Sequence, residues 1–123
     1  MQEALLQRLW SEDERGSIEL EDVLQMIERR YRYRPHAGFQ NGELYNSAGE
    51  NEKSARVLAW AVQQQLGTKD TLRCFGRFFR QLEPGGADHP NIRQLLQHGI
   101  RAVRFERHPL TPRGMDDDDD DDS

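Results

Sequence analysis

The chain has 123 residues, enough for one domain with a single hydrophobic core and too few for two cores of ordinary size. Its formal net charge is −5, but seven acids form the unbroken run from Asp116 to Asp122, and without that run the rest of the chain carries +2. The basic residues alternate with acids along the chain, which gives no support for nucleic-acid binding, and no apolar run is long enough for a membrane span.

Three amphipathic patterns in the first half of the chain predict helices. A short apolar cluster in residues 4–10 predicts a first helix that docks on the rest of the domain. Two longer patterns follow the spacing i, i+3, i+4, i+7 and i+11, which is typical of one buried helix face. They consist of Leu20, Val23, Leu24, Ile27 and Tyr31, and of Ala55, Leu58, Ala59, Val62 and Leu66. We expect Ser17 to cap the earlier of the two and Gly67 to end the later one.

A polar stretch from Phe39 to Ser54 separates these two helices and contains the pair Asn41-Gly42. This pair predicts a two-residue type I′ turn, in which residues 37–40 pair with residues 43–46. The core face of the hairpin would then combine Phe39 with Leu44 or with Tyr45, depending on register.

The second half of the chain predicts two more helices and a strand. Thr68 can cap a helix whose apolar line includes Leu72, Phe75 and Phe79, and Pro90 precedes a short helix that ends near Gly99. Val103 and Phe105 alternate with charged residues, which predicts a late strand that completes an antiparallel sheet with the hairpin. Pro109 and Pro112 are expected to end regular structure.

We therefore predict an α+β fold, with about four α-helices packed on a small antiparallel β-sheet in one domain, residues 1–112. The remaining residues 113–123 are expected to form a disordered acidic tail, because seven adjacent like charges repel one another. The single cysteine, Cys74, excludes an intramolecular disulfide and indicates synthesis in a reducing compartment such as the cytoplasm.

Several separated motifs together resemble the HopJ family, which is named after type III secretion effectors of plant-pathogenic bacteria. The resemblance covers about residues 3 to 112 and excludes the acidic tail. The motifs are Phe39-x-Asn41-Gly42-Glu43-Leu44, Asn46-x-Ala48-Gly49-x-Asn51 with Ser54, Thr71-Leu72-x-Cys74-Phe75-Gly76, Asp88-His89-x-Asn91-Ile92-Arg93, and Phe105 with Pro109-Leu110. It implies a small α+β domain and, for some members, export as an effector.

Two polar segments are candidates for a binding site. The first contains Asn41, Glu43, Asn46, Glu50 and Asn51. The pattern favours a hairpin turn followed by a helix cap at Asn51 or Ser54, because such residues usually bond to nearby backbone. The alternative is a pocket wall in which Glu50 acts as base or ligand and the amides orient a polar substrate.

The second candidate segment is Asp88-His89-Pro90-Asn91-Ile92-Arg93 at a predicted helix start. Asp88 or His89 could act simply as an N-cap, with Asn91 and Arg93 exposed. Alternatively, Arg93 could hold a carboxylate or phosphate, and His89 could act beside it. Together, the two segments would form one polar cleft.

Cys74 is a third catalytic candidate, as a nucleophile with His89 as its base. Its position among apolar residues in the middle of a predicted helix favours a small buried side chain instead. The four histidines lack the close spacing of a metal site, so we predict neither a metal nor a cofactor.

The sequence favours a non-enzymatic protein-interaction module that binds an unknown protein, and the HopJ resemblance adds the expectation of a type III effector acting on a host protein. The alternative is a small enzyme or small-ligand-binding protein that uses the cleft between the two polar segments.

Overall fold

Helix α1 spans Leu20–Arg30 in the computed structural model, which describes residues 18–114. Its buried face is formed by Leu20, Val23, Met26 and Ile27. The N-cap is Glu19, whose N–H donates to the Asp22 carboxylate at 3.1 Å. The prediction of Ser17 as the cap is therefore wrong, because a reciprocal contact with Asp22 starts the helix two residues later. The predicted helix in residues 4–10 and the acidic run lie outside the described residues.

Helix α2 spans Glu52–Gln63 and passes through the centre of the core, with Val57, Leu58, Ala59, Trp60 and Ala61 completely buried. The buried surface of α2 is wider than the predicted apolar face, because Val57, Trp60 and Ala61 are buried too. Val62, which the prediction placed on the buried face, is 39% exposed.

The connection after α2 differs from the prediction. The left-handed residue is Gln65, with φ 59°, whereas Gly67 has an extended conformation and is the N-cap of helix α3, Thr68–Arg73. Thr68 is already helical, and its hydroxyl accepts a hydrogen bond from the N–H of Ile100 at 2.9 Å.

The predicted single helix through Phe79 is interrupted. Gly76 has φ 58° and separates α3 from helix α4, Arg77–Arg80. A Cβ atom at Gly76 would lie 2.7 Å from the Cα atom of Glu19, so the close approach of α1 requires glycine here. Helix α5 spans Pro90–His98 and ends at Gly99, as predicted.

Three short strands form an antiparallel sheet in the order β3-β2-β4, where β2 is Phe39–Asn41, β3 is Leu44–Asn46 and β4 is Val103–Phe105. The late strand is thus confirmed.

The hairpin is confirmed too, but its turn is shifted by one residue along the chain. Asn41 pairs with Leu44, so the loop consists of Gly42 and Glu43. Of these two residues only Gly42 has positive φ, which fits a type II′ turn and not the predicted type I′ turn.

The register decides which side chains reach the core. Phe39 and Leu44 lie on the inner face, whereas Tyr45 points away and is 48% exposed. Asn41 and Asn46 also lie on the inner face, where both are completely buried.

A second antiparallel pair joins the strand that follows α1 to the last strand of the described chain. Strand β1, Tyr31–Tyr33, pairs with β5, Leu110–Pro112, so that Tyr31 lies opposite Pro112. The expectation that Pro109 and Pro112 end regular structure is wrong, because Pro112 occupies the last position of an edge strand, where its missing N–H is tolerated.

The α+β fold in one domain is confirmed, with five α-helices and two small antiparallel sheets in residues 18–114. Within that range, no helix is both long enough and apolar enough to cross a membrane.

Candidate functional site

Four asparagines connect the hairpin to the starts of two helices. Asn41 on β2 donates its side-chain N–H groups to the carbonyl and side-chain oxygens of Asn91 on α5, both at 2.9 Å. Asn46 on β3 donates to the Asn91 side chain at 3.1 Å and accepts from it at 2.9 Å. The same Asn46 oxygen also accepts from Asn51 at 2.6 Å. One amide oxygen therefore bridges the entrances of α2 and α5.

Both helix entrances have an unusual conformation. Asn51 and His89 occupy the N-cap positions of α2 and α5 with left-handed backbones, φ 50° and 51°, and neither side chain caps its own helix. The Asn51 amide turns to Asn46 instead. The first N–H groups of both helices consequently lack a capping side chain, although such groups require a partner from elsewhere.

These two entrances meet at a cavity of about 320 Å³. Asn51, His89 and Asn91 line it on the polar side, together with Lys53 and Ser54. Its apolar wall is formed by Leu20, Phe75, Phe78, Pro90 and Ile92. The His89 ring contacts the Phe78 ring edge-on, with centroids 5.5 Å apart, and the histidine side chain is 41% exposed at the rim.

The structure thus brings Asn51, His89 and Asn91 to one cavity, with Asn41 and Asn46 directly behind them. The expectation that Asn91 is exposed is wrong, because its amide completes the buried asparagine network and only 3% of the residue is accessible.

The acidic candidates do not line this cavity. Glu50 accepts a hydrogen bond from the N–H of Ser47 at 2.8 Å and stabilises the loop after β3. Glu43 lies in the hairpin loop, where its N–H donates to the side chain of Gln94 at 2.8 Å.

The contacts of Arg93 stabilise the loop before α5. Its guanidinium donates to the carbonyl oxygens of Asp88 and Glu83, at 2.6 Å and 2.7 Å, and forms an ion pair with the Asp88 carboxylate. The pKa of Asp88 is lowered, chiefly by this hydrogen bond from Arg93. The arginine therefore holds the loop that precedes His89, at the outer side of α5.

Cys74 is completely buried, and desolvation raises the pKa of its thiol to about 12. A thiol of that pKa is protonated at neutral pH, and the nucleophile must be a thiolate. Within residues 18–114, no group of three or more potential metal ligands lies together.

Sequence reasoning did not include Lys53 or Phe78 among the cavity residues. Phe78 could have been identified from its position beside the regular apolar line of Phe75 and Phe79, since a large side chain off that line must pack elsewhere. Lys53 has no comparable signal.

Comparisons with known proteins place this geometry in context. A family model described as "HopJ type III effector protein" matches residues 2–110. The chain is also similar to the crystal structure of the unknown function protein VPA0580, with 37% sequence identity and a TM-score of 0.83. That similarity covers 89% of this chain and 92% of the other. No curated protein matches.

Proposed function

Because the chain belongs to the HopJ type III effector protein family, we propose that it is an effector-like protein that binds a partner protein and does not catalyse a reaction. One observation carries this proposal: of the side chains that the sequence singles out for chemistry, His89 lies at the cavity, whereas the acids and the cysteine are held in structural contacts away from it. Glu50 and Asp88 pair with Ser47 and Arg93, and Cys74 is buried with its thiol protonated. Catalysis requires such groups within reach of a common substrate.

The cavity between the entrances of α2 and α5 is the proposed binding site. Its apolar wall suits one aliphatic or aromatic side chain of a partner, and about 320 Å³ is at the small end of the range for binding pockets. The Asn51 amide, which lines the cavity, can pair with a peptide group that flanks such a side chain. A buried anchor surrounded by polar contacts is the usual arrangement of an interaction hot spot.

A cavity-filling variant tests the proposal. Ser54 lines the cavity and is partly exposed, so Ser54→Phe places a ring inside it, whereas Ala48→Phe adds the same ring on the exposed loop after β3. Displayed peptides selected on the wild-type protein should bind Ala48→Phe with unchanged affinity and Ser54→Phe at least about tenfold more weakly, a loss of about 1.4 kcal/mol. NMR shifts on peptide addition should centre on Phe78 and Asn91. Peptides that bind both variants equally would contradict the proposal.

A small-ligand site, or a small enzyme, is the second candidate, because five polar side chains line one partly apolar cavity. A fragment library screened by NMR, with Ser54→Phe as the control, distinguishes it from the first candidate. Fragments of micromolar affinity that compete with no selected peptide would favour it. A turnover that is lost in folded His89→Ala protein would establish catalysis and end the proposal of pure binding.

A further inference from the structure

The cavity between the starts of α2 and α5 has charge of one sign only. Among the residues that line it, Lys53 is the one with a permanent charge, and no carboxylate lines it. None of the side-chain hydrogen bonds or ion pairs within residues 18–114 involves the Lys53 ammonium group. This group can therefore pair with a bound molecule without breaking a contact in the described part of the chain.

The two carboxylates beside Lys53 in the sequence do not neutralise it. Glu50 accepts its hydrogen bond from the N–H of Ser47, within the loop after β3. Glu52 acts on Tyr33, whose pKa is raised by desolvation and then by this negative charge, and Tyr33 does not line the cavity. Neither carboxylate forms an ion pair with Lys53 in residues 18–114, although both lie within three residues of it in the chain.

The acids that flank the other lining residues have partners as well. Asp88 forms an ion pair with Arg93, and its second carboxylate oxygen lies 3.7 Å from Nε2 of His89. A protonated His89 would thus have its counter-charge in Asp88. Glu19, which precedes the first residue of α1, accepts a hydrogen bond from the N–H of Arg77 at 2.9 Å. The positive charge at the cavity is therefore not cancelled by the neighbouring acids.

Two hydrogen-bond donors stand side by side at this cavity. Lys53 and Ser54 are neighbours in the first turn of α2, and both line it. A carboxylate accepts hydrogen bonds from an ammonium and from a hydroxyl group, and the bond from the charged donor is the stronger one. The same cavity has an apolar wall that includes Phe75, Phe78 and Ile92. A ligand that joins an apolar group to a carboxylate would use both parts of the lining.

On the basis of the proposed function, which makes this cavity the binding site, we propose that it recognises a carboxylate adjacent to an apolar side chain and that Lys53 selects for that carboxylate. A partner protein can present this combination at its C-terminus or through an aspartate or glutamate beside the anchor. An exposed ion pair adds little affinity, so the apolar wall supplies most of the binding and the lysine supplies the selectivity. A segment with a basic residue beside its anchor is rejected for the same reason.

The test uses two pairs of synthetic dipeptides that differ only in charge. N-acetyl-alanyl-phenylalanine and its C-terminal amide represent the end of a chain, and N-acetyl-phenylalanyl-aspartate amide and its asparagine analogue represent an acidic side chain. In NMR titrations the acid of at least one pair should bind the wild type about threefold or more tightly than its neutral analogue. The pair with the larger ratio identifies the source of the carboxylate. Lys53→Gln should remove the preference and leave the affinity of the neutral compounds unchanged.

Arg104→Gln is the matched control, because it removes the same charge from the exposed surface of β4, and it should keep the preference. If the dipeptides bind too weakly to measure, each acid is exchanged for its amide in the peptides selected on the wild type. Selected peptides that have no carboxylate beside an apolar residue would overturn the proposal.

Three further results separate the two levels of the argument for this cavity. Equal affinity for acid and neutral analogue, or a preference that survives Lys53→Gln, would end the carboxylate selectivity, while weaker binding to Ser54→Phe would still support the cavity as a binding site. A preference lost equally in Arg104→Gln would reflect net charge only and would also end it. Compounds and peptides that bind Ser54→Phe and Ala48→Phe equally would contradict the binding site itself, and the selectivity with it.

Discussion

The side chains of Asn46 and Asn91 donate one hydrogen bond to each other, at 3.1 Å and 2.9 Å, although 45 residues separate them in the chain. Both residues are buried, and one further amide from Asn41 and one from Asn51 complete the cluster. The pair fixes the hairpin against the start of α5, so the geometry of the cavity depends on a polar contact inside the core.

Asn46→Ala should lower the free energy of unfolding by about 2–3 kcal/mol, because it leaves the Asn91 amide buried with fewer partners. Urea denaturation measures the change. The matched control is Asn51→Gly, which removes one hydrogen bond of the same cluster and accepts the left-handed backbone, so it should cost about 1 kcal/mol or less. Equal losses in the two variants would contradict the assigned role of the Asn46–Asn91 pair.

Gly76→Ala should be strongly destabilising, by about 3 kcal/mol or more, because a left-handed alanine is strained and its Cβ would lie 2.7 Å from the Glu19 backbone. Gly85→Ala provides the comparison. Gly85 also has positive φ, 77°, but no atom lies within 4 Å of its added Cβ, so only the strain of about 1–2 kcal/mol applies. The difference between the thermal unfolding midpoints of the two variants measures the steric contact with Glu19 apart from the backbone strain. Similar midpoints would show that α1 moves away from the added Cβ atom at little cost, which would contradict the proposed requirement for glycine.

The Cys74 thiol should resist modification in the folded protein at pH 8, because burial raises its pKa to about 12. Ellman's reagent should react quickly only after addition of guanidinium chloride.

The raised pKa of the Cys74 thiol also makes the stability of the fold depend on pH. The unfolded thiol loses its proton near pH 9.0 while the folded one retains it, so stability should fall as the pH rises from about 9 towards 12. Rapid stoichiometric labelling of the native protein would contradict both expectations.

Glu19 should contribute to the acid sensitivity of the fold. Its pKa is lowered below 4.5, first by the hydrogen bond from Arg80 and then by the N–H of Arg77. A lowered pKa means that the unfolded chain binds the proton more readily, so this stabilisation is present above about pH 4.5 and is lost as the pH falls further. Glu19→Gln should therefore cost about 0.5–1 kcal/mol at pH 7, as expected for a partly exposed ion pair, and almost nothing near pH 2. A cost that is independent of pH would assign the effect to packing.

The long helices were predictable because their stability depends on a local pattern. The apolar spacing of Leu20, Val23 and Ile27 identifies most of the buried face of α1 without reference to the rest of the chain. Met26 completes that face, Leu24 is only partly buried, and Tyr31 belongs to β1. The register of the hairpin was not predictable in this way. Asn41-Gly42 is a strong turn signal, but Asn41 is drawn into the strand because its amide bonds to Asn91, 50 residues away.

In the candidate site, too, some features follow from the local sequence and others depend on distant contacts. The asparagines and His89 stand out in the sequence as polar groups at helix starts, and they do lie at one cavity or directly behind it. The acids next to them in sequence do not line it. Glu50 accepts a hydrogen bond within its own loop, and Asp88 forms an ion pair with Arg93. Sequence proximity does not determine the direction of a side chain, which depends on contacts with distant residues.

The pairing of β1 with β5 and of β2 with β4 has a consequence for the order of folding. Residues 103–112, close to the end of the described chain, supply the partner strand of β1 and the second partner of β2, which already pairs with β3. During synthesis the ribosome must therefore pass Phe105 before the three-stranded sheet can close, and Pro112 before β1 can pair with β5. Until that moment, α1 and α2 can form helices but cannot assemble the native core around Trp60, so we expect a nascent chain that stops before Val103 to remain unfolded and open to proteases.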